Sequence, residues 1–398
     1  MIKIDKNAPP EEWIEVLRKR FPVEREVDRI LTRKMKKRAG PGYSPLQLDV
    51  LVAGVESLLR AEGVESFEIK EPKWMSGGAS KLQVSFLLTW VTPEGKQTTP
   101  MVLRMEPAES LVETSRLREF QVIKALEGTV PVPPVYWHDA DARHLPHPAL
   151  VYGFAEGVTK PASAASGVSG LGTQLPLDVQ QALSPQFIEH LTAIHTLDFE
   201  GKDLSAFDIP EVGTTQCAEW GVNWWDRVWE EDSDEDIPLM RLASAWLREN
   251  MPVLDHASVV HADYRVGNFL FTEHDMRITA WLDWELSRIG DRHQDIAWTT
   301  SRAFASLAAD GKTLLTCGLM PEEEFMRAYE QASGLSINRK TVHWYKVYNA
   351  YMMVTLSLAT GYRAARGGKT HQDILVTWLI GIGYMLLDEM CELIEEAP

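Results

Sequence analysis

His261-Ala-Asp263-Tyr-Arg265-Val-Gly-Asn268, followed by Leu282-Asp283-Trp-Glu285, is the stretch on which the reading of this chain turns. Asp263 and Asn268 sit between two short apolar runs, Ser258-Val-Val and Phe269-Leu-Phe. Asp283 closes a third run, Ile278 to Leu282. Runs of this length and character read as short strands. Three polar side chains at strand ends are then expected to converge at one end of a small sheet.

The chemistry that uses such a set is phosphoryl transfer, where catalysis is positioning plus neutralisation of charge. Magnesium takes hard oxygen ligands and needs only one or two carboxylates beside phosphate oxygens. Asn268 and Asp283 are the expected metal ligands. Asp263 is the expected acceptor of a hydroxyl proton. Arg265, two residues on, is placed to reach the terminal phosphate. His261 reads as a brace for the loop.

The spacing His-x-Asp-x-x-x-x-Asn, with an Asp at a later strand end, resembles the catalytic loop and magnesium aspartate of the protein-kinase-like fold. The fuller string adds Gly290-Asp291-Arg-His-Gln-Asp295-Ile-Ala. With that addition it is similar to the aminoglycoside phosphotransferase and choline kinase superfamily. Within that superfamily it resembles the bacterial phosphotransferase enzyme family and the kinase-like domain fused to some acyl-CoA dehydrogenases. The likeness runs from about residue 68 to the C-terminus.

This resemblance implies a bilobal α+β protein-kinase-like fold. A small antiparallel β N-lobe would bind the nucleotide over residues 64–152. A large, mainly helical C-lobe over 153–398 would carry catalysis and the acceptor. Residues 1–63 read as an N-terminal helical extension. The implied cofactors are Mg2+ and ATP, with GTP open, and the implied partner is a hydroxylated small-molecule acceptor. Candidate acceptors are an antibiotic, an amino alcohol, a hydroxyacyl thioester or a sugar-like metabolite.

Ser76-Gly77-Gly78-Ala79-Ser80-Lys81 lies between two strand-like runs. Gly77, Gly78 and Ser80 are candidate phosphate contacts, because glycine lets backbone approach closely. The same pair also suits an ordinary hairpin turn, and the Walker A spacing is absent. Arg104 ends the run Pro100-Met-Val-Leu-Arg104, where related kinases carry a lysine. Glu119, on a helix expected over Glu113 to Leu126, is its expected partner. By resemblance, backbone groups of Val151 to Gly153 form the hinge facing the adenine edge.

The remaining features bear on class. Hydrophobic residues make up 45% and charged residues 24% of the 398, a soluble globular balance. A net charge of −17 argues against a nucleic-acid partner. Cys217, Cys317 and Cys391 form no CxxC pair, and no apolar leader is seen, so a cytoplasmic protein with free thiols is expected.

Other segments keep two readings each. The basic run Arg33 to Arg38 is either a docking patch for an anionic partner or a solvated helix face. Trp220, Trp224, Trp225 and Trp229 are either core or an aromatic cage. His343, Tyr345, Tyr348 and Tyr351 lie on an expected long helix, Arg339 to Ala365, near the acceptor. His195 and Asp295 read as structural braces. Two other functional readings stay open. One is a nucleotide-binding pseudokinase that acts as an interaction module. The other is a hydrolytic metal cluster of His261, Asp263, Asp283, His293 and Asp295.

Overall fold

The computed structural model describes residues 4–75, 81–162, 171–368 and 373–397. Strands β1 (Phe67–Trp74), β2 (Leu82–Thr92), β3 (Gly95–Met105), β4 (Val135–Asp139) and β5 (Ala149–Gly153) form one antiparallel sheet in the order β1-β2-β3-β5-β4. In β2, Leu82, Val84, Phe86 and Leu88 alternate with less buried residues, the period of a strand with one face on a core. The cover over that face is α3 (Leu48–Ala61), through Leu51, Val55, Leu58 and Leu59. Between β3 and β4 lies α4 (Arg116–Leu126), shorter than the sequence suggested because Ser115 caps it, accepting from the N–H of Arg118.

The helices before α3 belong to the other lobe. In α2 (Arg25–Lys37), Val27, Ile30 and Leu31 join the C-lobe core, while α1 (Glu11–Arg20) packs beside α2. This corrects the reading of the basic run at two positions, while Lys36 and Lys37 stay on an exposed helix face as expected. Lys34 and Arg38 are buried, held by Glu231 and Asp232 and by Asp232, respectively. Burying these cations is tolerated because carboxylates accompany them.

The C-lobe contains α5 (Leu177–His195), α6 (Gln216–Asp232), α7 (Pro238–Glu249), α8 (His293–Thr299), α9 (Glu322–Ser333) and α10 (Arg339–Val354). Two small sheets carry the site: β6 (Ala257–Val260) with β9 (Arg288–Asp291), and β7 (Phe269–Thr272) with β8 (Arg277–Trp281). The expected long helix is interrupted. After α10 comes a π-helical turn, Thr355–Gly361, then a short helical piece, Tyr362–Arg366. The last helix is α11 (Asp373–Glu395). No helix among the described residues is long and apolar enough to cross a membrane.

Trp224, Trp225 and the tyrosines of α10 settle into the core, while Trp220 and Trp229 are half-buried. Trp224 and Trp225 stack with ring centroids 5.0 Å apart, and the Trp225 indole donates to the Tyr348 hydroxyl at 3.0 Å. Tyr345, Tyr348 and Tyr351 are fully buried. The lobes are joined through Phe154 to Val158, whose backbone bridges to Phe271. Gly157, at φ +140°, leaves 3.0 Å between any added Cβ and Leu270, Phe271 or Thr279, so only glycine fits that crossing.

Candidate active site

The loop from β6 to β7 is fixed from below by one carboxylate. Asp295 accepts the backbone N–H groups of His261 at 2.8 Å and Ala262 at 2.7 Å, and meets the imidazole of His195 at 3.1 Å. All four residues are fully buried or nearly so. Burial lowers the pKa of His195 despite the Asp295 charge, which keeps the ring a neutral brace. Ala262 adopts φ +65°, a conformation costly for a residue with a Cβ, and Asp295 is what holds it there.

His261 has a determined tautomer. Its Nδ1 accepts the N–H of Asp263 at 3.2 Å, so Nε2 carries the proton donated to Leu282 O at 2.9 Å. The imidazole therefore links the loop to the end of β8. Leu282 N–H in turn donates to Asn268 O at 2.8 Å.

Above this frame, three donors aim the Asp263 carboxylate. Oδ1 accepts from Trp298 Nε1 at 2.6 Å and from Arg265 Nε at 2.8 Å. Oδ2 accepts from Asn268 Nδ2, whose other hydrogen goes to Asp263 O at 2.9 Å. A carboxylate offers about four lone-pair sites, so one site on Oδ2 remains for a hydroxyl proton. Both hydrogens of the Asn268 amide are engaged, which leaves its Oδ1 as a hard oxygen donor. Asp283 follows β8 with φ +64° and side chain 34% exposed. Asn268 Oδ1 and the Asp283 carboxylate are donors of the type magnesium takes.

On the N-lobe side, Arg104 reaches three acids. It bonds Asp283 and lies 3.3 Å from Glu119 and 3.6 Å from Glu285. Arg116 bonds Glu119 and lies 3.4 Å from Glu285, while Lys81 sits 2.9 Å from Glu285. Burial would raise the Glu285 carboxyl, but Lys81, Arg104 and Arg116 outweigh it and hold Glu285 well below the usual carboxylate range. The cluster spans both lobes. Sequence reading supplied Arg104 and Glu119 but gave no role to Lys81, Glu285 or Trp298.

A cavity of about 700 Å³ joins these groups. Arg104, Asp263, Arg265, Asn268 and Asp283 all line it. Its body is apolar, walled by Leu111, Trp298, Phe304, Met352, Met353 and Leu356. The Arg265 guanidinium lies 5.2 Å from the Phe304 ring centre, and Phe304 packs 5.0 Å from Trp298. Of the aromatic positions singled out on the long helix, His343 lines this cavity.

Gly77, Gly78 and Ser80 lie outside the described residues. Val151 and Gly153 are placed differently from an open hinge edge. Val151 is at the sheet centre, between Leu103 and Trp137, and Gly153 N–H donates to Pro134 O at 2.8 Å. Pairing with β4 covers them, a feature of sheet order that their own sequence does not carry.

The metal-cluster reading fails on proton inventory. His261 has both ring nitrogens engaged with backbone, and Asp295 accepts two backbone N–H groups. His293 Nε2 accepts the N–H of Asn338, so its Nδ1–H faces Asp291 at 2.6 Å. Asp255, beside them, is paired with Arg292 at 2.5 Å. These imidazoles and carboxylates brace helix and loop ends.

The family profile described as the phosphotransferase enzyme family matches residues 81–334. The chain belongs to this family. Acyl-CoA dehydrogenase family member 11 of Homo sapiens is 26% identical over 293 residues, covering 72% of this chain and 36% of that protein. The probable acyl-CoA dehydrogenase IBR3 of Arabidopsis thaliana is 26% identical over 261 residues, covering 60% and 30%. The chain thus spans about a third of the length of these curated relatives.

Among solved structures, a Ralstonia eutropha protein assigned as an aminoglycoside phosphotransferase superposes with TM-score 0.61 at 23% identity. That superposition covers 87% of this chain and 99% of the other. Plasmodium vivax ethanolamine kinase superposes with TM-score 0.51 at 13% identity, covering 98% and 97%. Both have the bilobal kinase-like fold described above.

Proposed function

We propose that this member of the phosphotransferase enzyme family transfers the terminal phosphoryl group of ATP or GTP to a hydroxyl of a small molecule. The observation that carries the reading is one cavity. Asp263, with a single open lone pair, faces the space into which Arg104, Arg265, Asn268 and Asp283 also open. Asp263 receives the hydroxyl proton as the oxygen attacks. Arg265, held against Asp263 and Phe304, neutralises charge on the transferred group. Arg104 grips phosphate with its fork, and Glu119 holds the arginine stem in place. Bound between Asn268 and Asp283, magnesium would supply charge neutralisation of the phosphate oxygens.

The nucleotide base would meet the linker that leaves β5 at Gly153, with Gly77, Gly78 and Ser80 toward the phosphates. The acceptor is a hydroxylated compound whose body is largely apolar, because the wall around Asp263 is.

The test is acceptor-dependent ADP release in magnesium-ATP, run over a series of hydroxylated compounds from apolar alcohols and hydroxy acids to aminoglycosides. Phosphorylated product is confirmed by mass. Product from apolar hydroxylated compounds is expected. Nucleotide binding with no product from any acceptor would reduce the protein to a pseudokinase and overturn the reading.

A further inference from the structure

Lys81 is the first residue after the Ser76–Ser80 segment and the last before β2. Its side chain is 1% exposed, the level at which an ammonium survives only with full pairing. It has that pairing. Nζ lies 2.9 Å from Glu285, 3.0 Å from Glu106, 2.9 Å from Ser110 Oγ and 3.0 Å from Val112 O. Glu106, Ser110 and Val112 belong to the N-lobe segment after β3. Glu285 belongs to the C-lobe, in the short turn Trp284–Leu286 that follows Asp283.

We propose that Lys81 is a positioning residue for phosphoryl transfer: by clamping Glu285, it fixes the Asp283 loop against the root of the glycine-containing segment. The proposal rests on the assignment of Asp283 to magnesium. Asp283 sits in a left-handed conformation that needs support from its neighbours. One support is its own bond to Arg104. The other is Glu285, two residues on, held by Lys81 and Arg116. Because Lys81 and Arg116 hold Glu285 alongside Arg104, Arg104 can turn from Asp283 to a phosphate while the loop stays in place. Without Lys81, Glu285 keeps only the longer contacts to Arg116 and Arg104, so Arg104 is drawn both to anchor the loop and to bind the nucleotide.

The experiment is calorimetric titration of the full chain with the non-hydrolysable analogue AMP-PNP, with magnesium and with EDTA. Lys81→Met should weaken magnesium-AMP-PNP binding about tenfold, as expected for loss of a buried charged contact, and change binding in EDTA by less than about twofold. Lys81→Arg, which keeps the charge, should recover part of the loss. Because Lys81→Met strands two carboxylates, the double variant Lys81→Met/Glu285→Gln guards against a folding defect. It should regain melting temperature without regaining magnesium-dependent affinity. Equal weakening with magnesium and with EDTA, or full recovery of affinity in the double variant, overturns the positioning role. Asp283→Ala separates the two readings: if magnesium still strengthens AMP-PNP binding in that variant, the metal assignment itself falls, and the role of Lys81 falls with it.

Discussion

The two ends of the cavity are built on opposite principles. At the N-lobe end, Lys81, Arg104 and Arg116 face Glu106, Glu119, Asp283 and Glu285 in a packed array of full charges. At the C-lobe end, Asp263 is aimed by an indole, an amide and one guanidinium, and the walls beyond are apolar. The first end suits a ligand of high charge that carries its own cation. The second suits a neutral nucleophile whose position, rather than its charge, must be set. The contrast implies that donor binding depends on electrostatics and acceptor choice on shape.

Asp263→Asn should break the contrast most severely. Turnover, read as acceptor-dependent ADP release, should fall on the order of a thousandfold for loss of a general base. AMP-PNP affinity should stay within about twofold, because Asp263 lies at the acceptor end. Unchanged turnover would remove Asp263 from the chemistry.

Trp298→Phe sharpens the same comparison. It keeps the wall and deletes one donor to Oδ1, so kcat should drop roughly tenfold while nucleotide KM holds, the effect of a lost hydrogen bond to a charged group. A change confined to acceptor KM would make Trp298 a wall only. At the charged end, Arg104→Lys keeps the charge but loses the fork that reaches three acids. It should weaken magnesium-AMP-PNP binding by about three- to tenfold, measured by calorimetry.

The smallest effect concerns stability. Burial and the Glu106 charge push the Glu113 carboxyl up to about 7, and its Oε1 accepts the N–H of Ser110. The folded state thus holds a proton that the unfolded chain releases near 4.5. Stability from this group is fully present below the unfolded value and is lost as pH rises from there to about 7. Glu113→Gln should flatten that slope, worth on the order of 2 kcal/mol, in denaturant titrations at pH 5 and pH 8. An unchanged slope would show that Glu113 ionises normally.

How much was legible in the sequence divides along the same line. The strand–loop–strand around Asp263 and Asn268 was readable because turn residues and apolar runs are local. The Arg104–Glu119 pair was readable by resemblance, and it is present. Lys81, Glu285 and Trp298 gave no such signal, since each acts on a residue distant in sequence. Burial was equally hidden at Lys34 and Arg38: helical periodicity marks a face, but only the carboxylates of α6 make theirs an interior one. The tryptophans near residue 224 posed the same question, and packing against α10 answered it.

The π-helical turn Thr355–Gly361 has a consequence for how this cavity can diversify. Leu356 and Ser357, on that turn, form part of the wall. A wide turn holds one residue more than an α-helix needs. Because the extra residue is taken up within the turn, removing a single amino acid there would restore regular winding while the helix beyond it keeps its facing. Arg363 would then keep its grip on Asp232 and Asp234. The pocket wall can thus be reshaped by length at this one place while the rest of the lobe stays as it is.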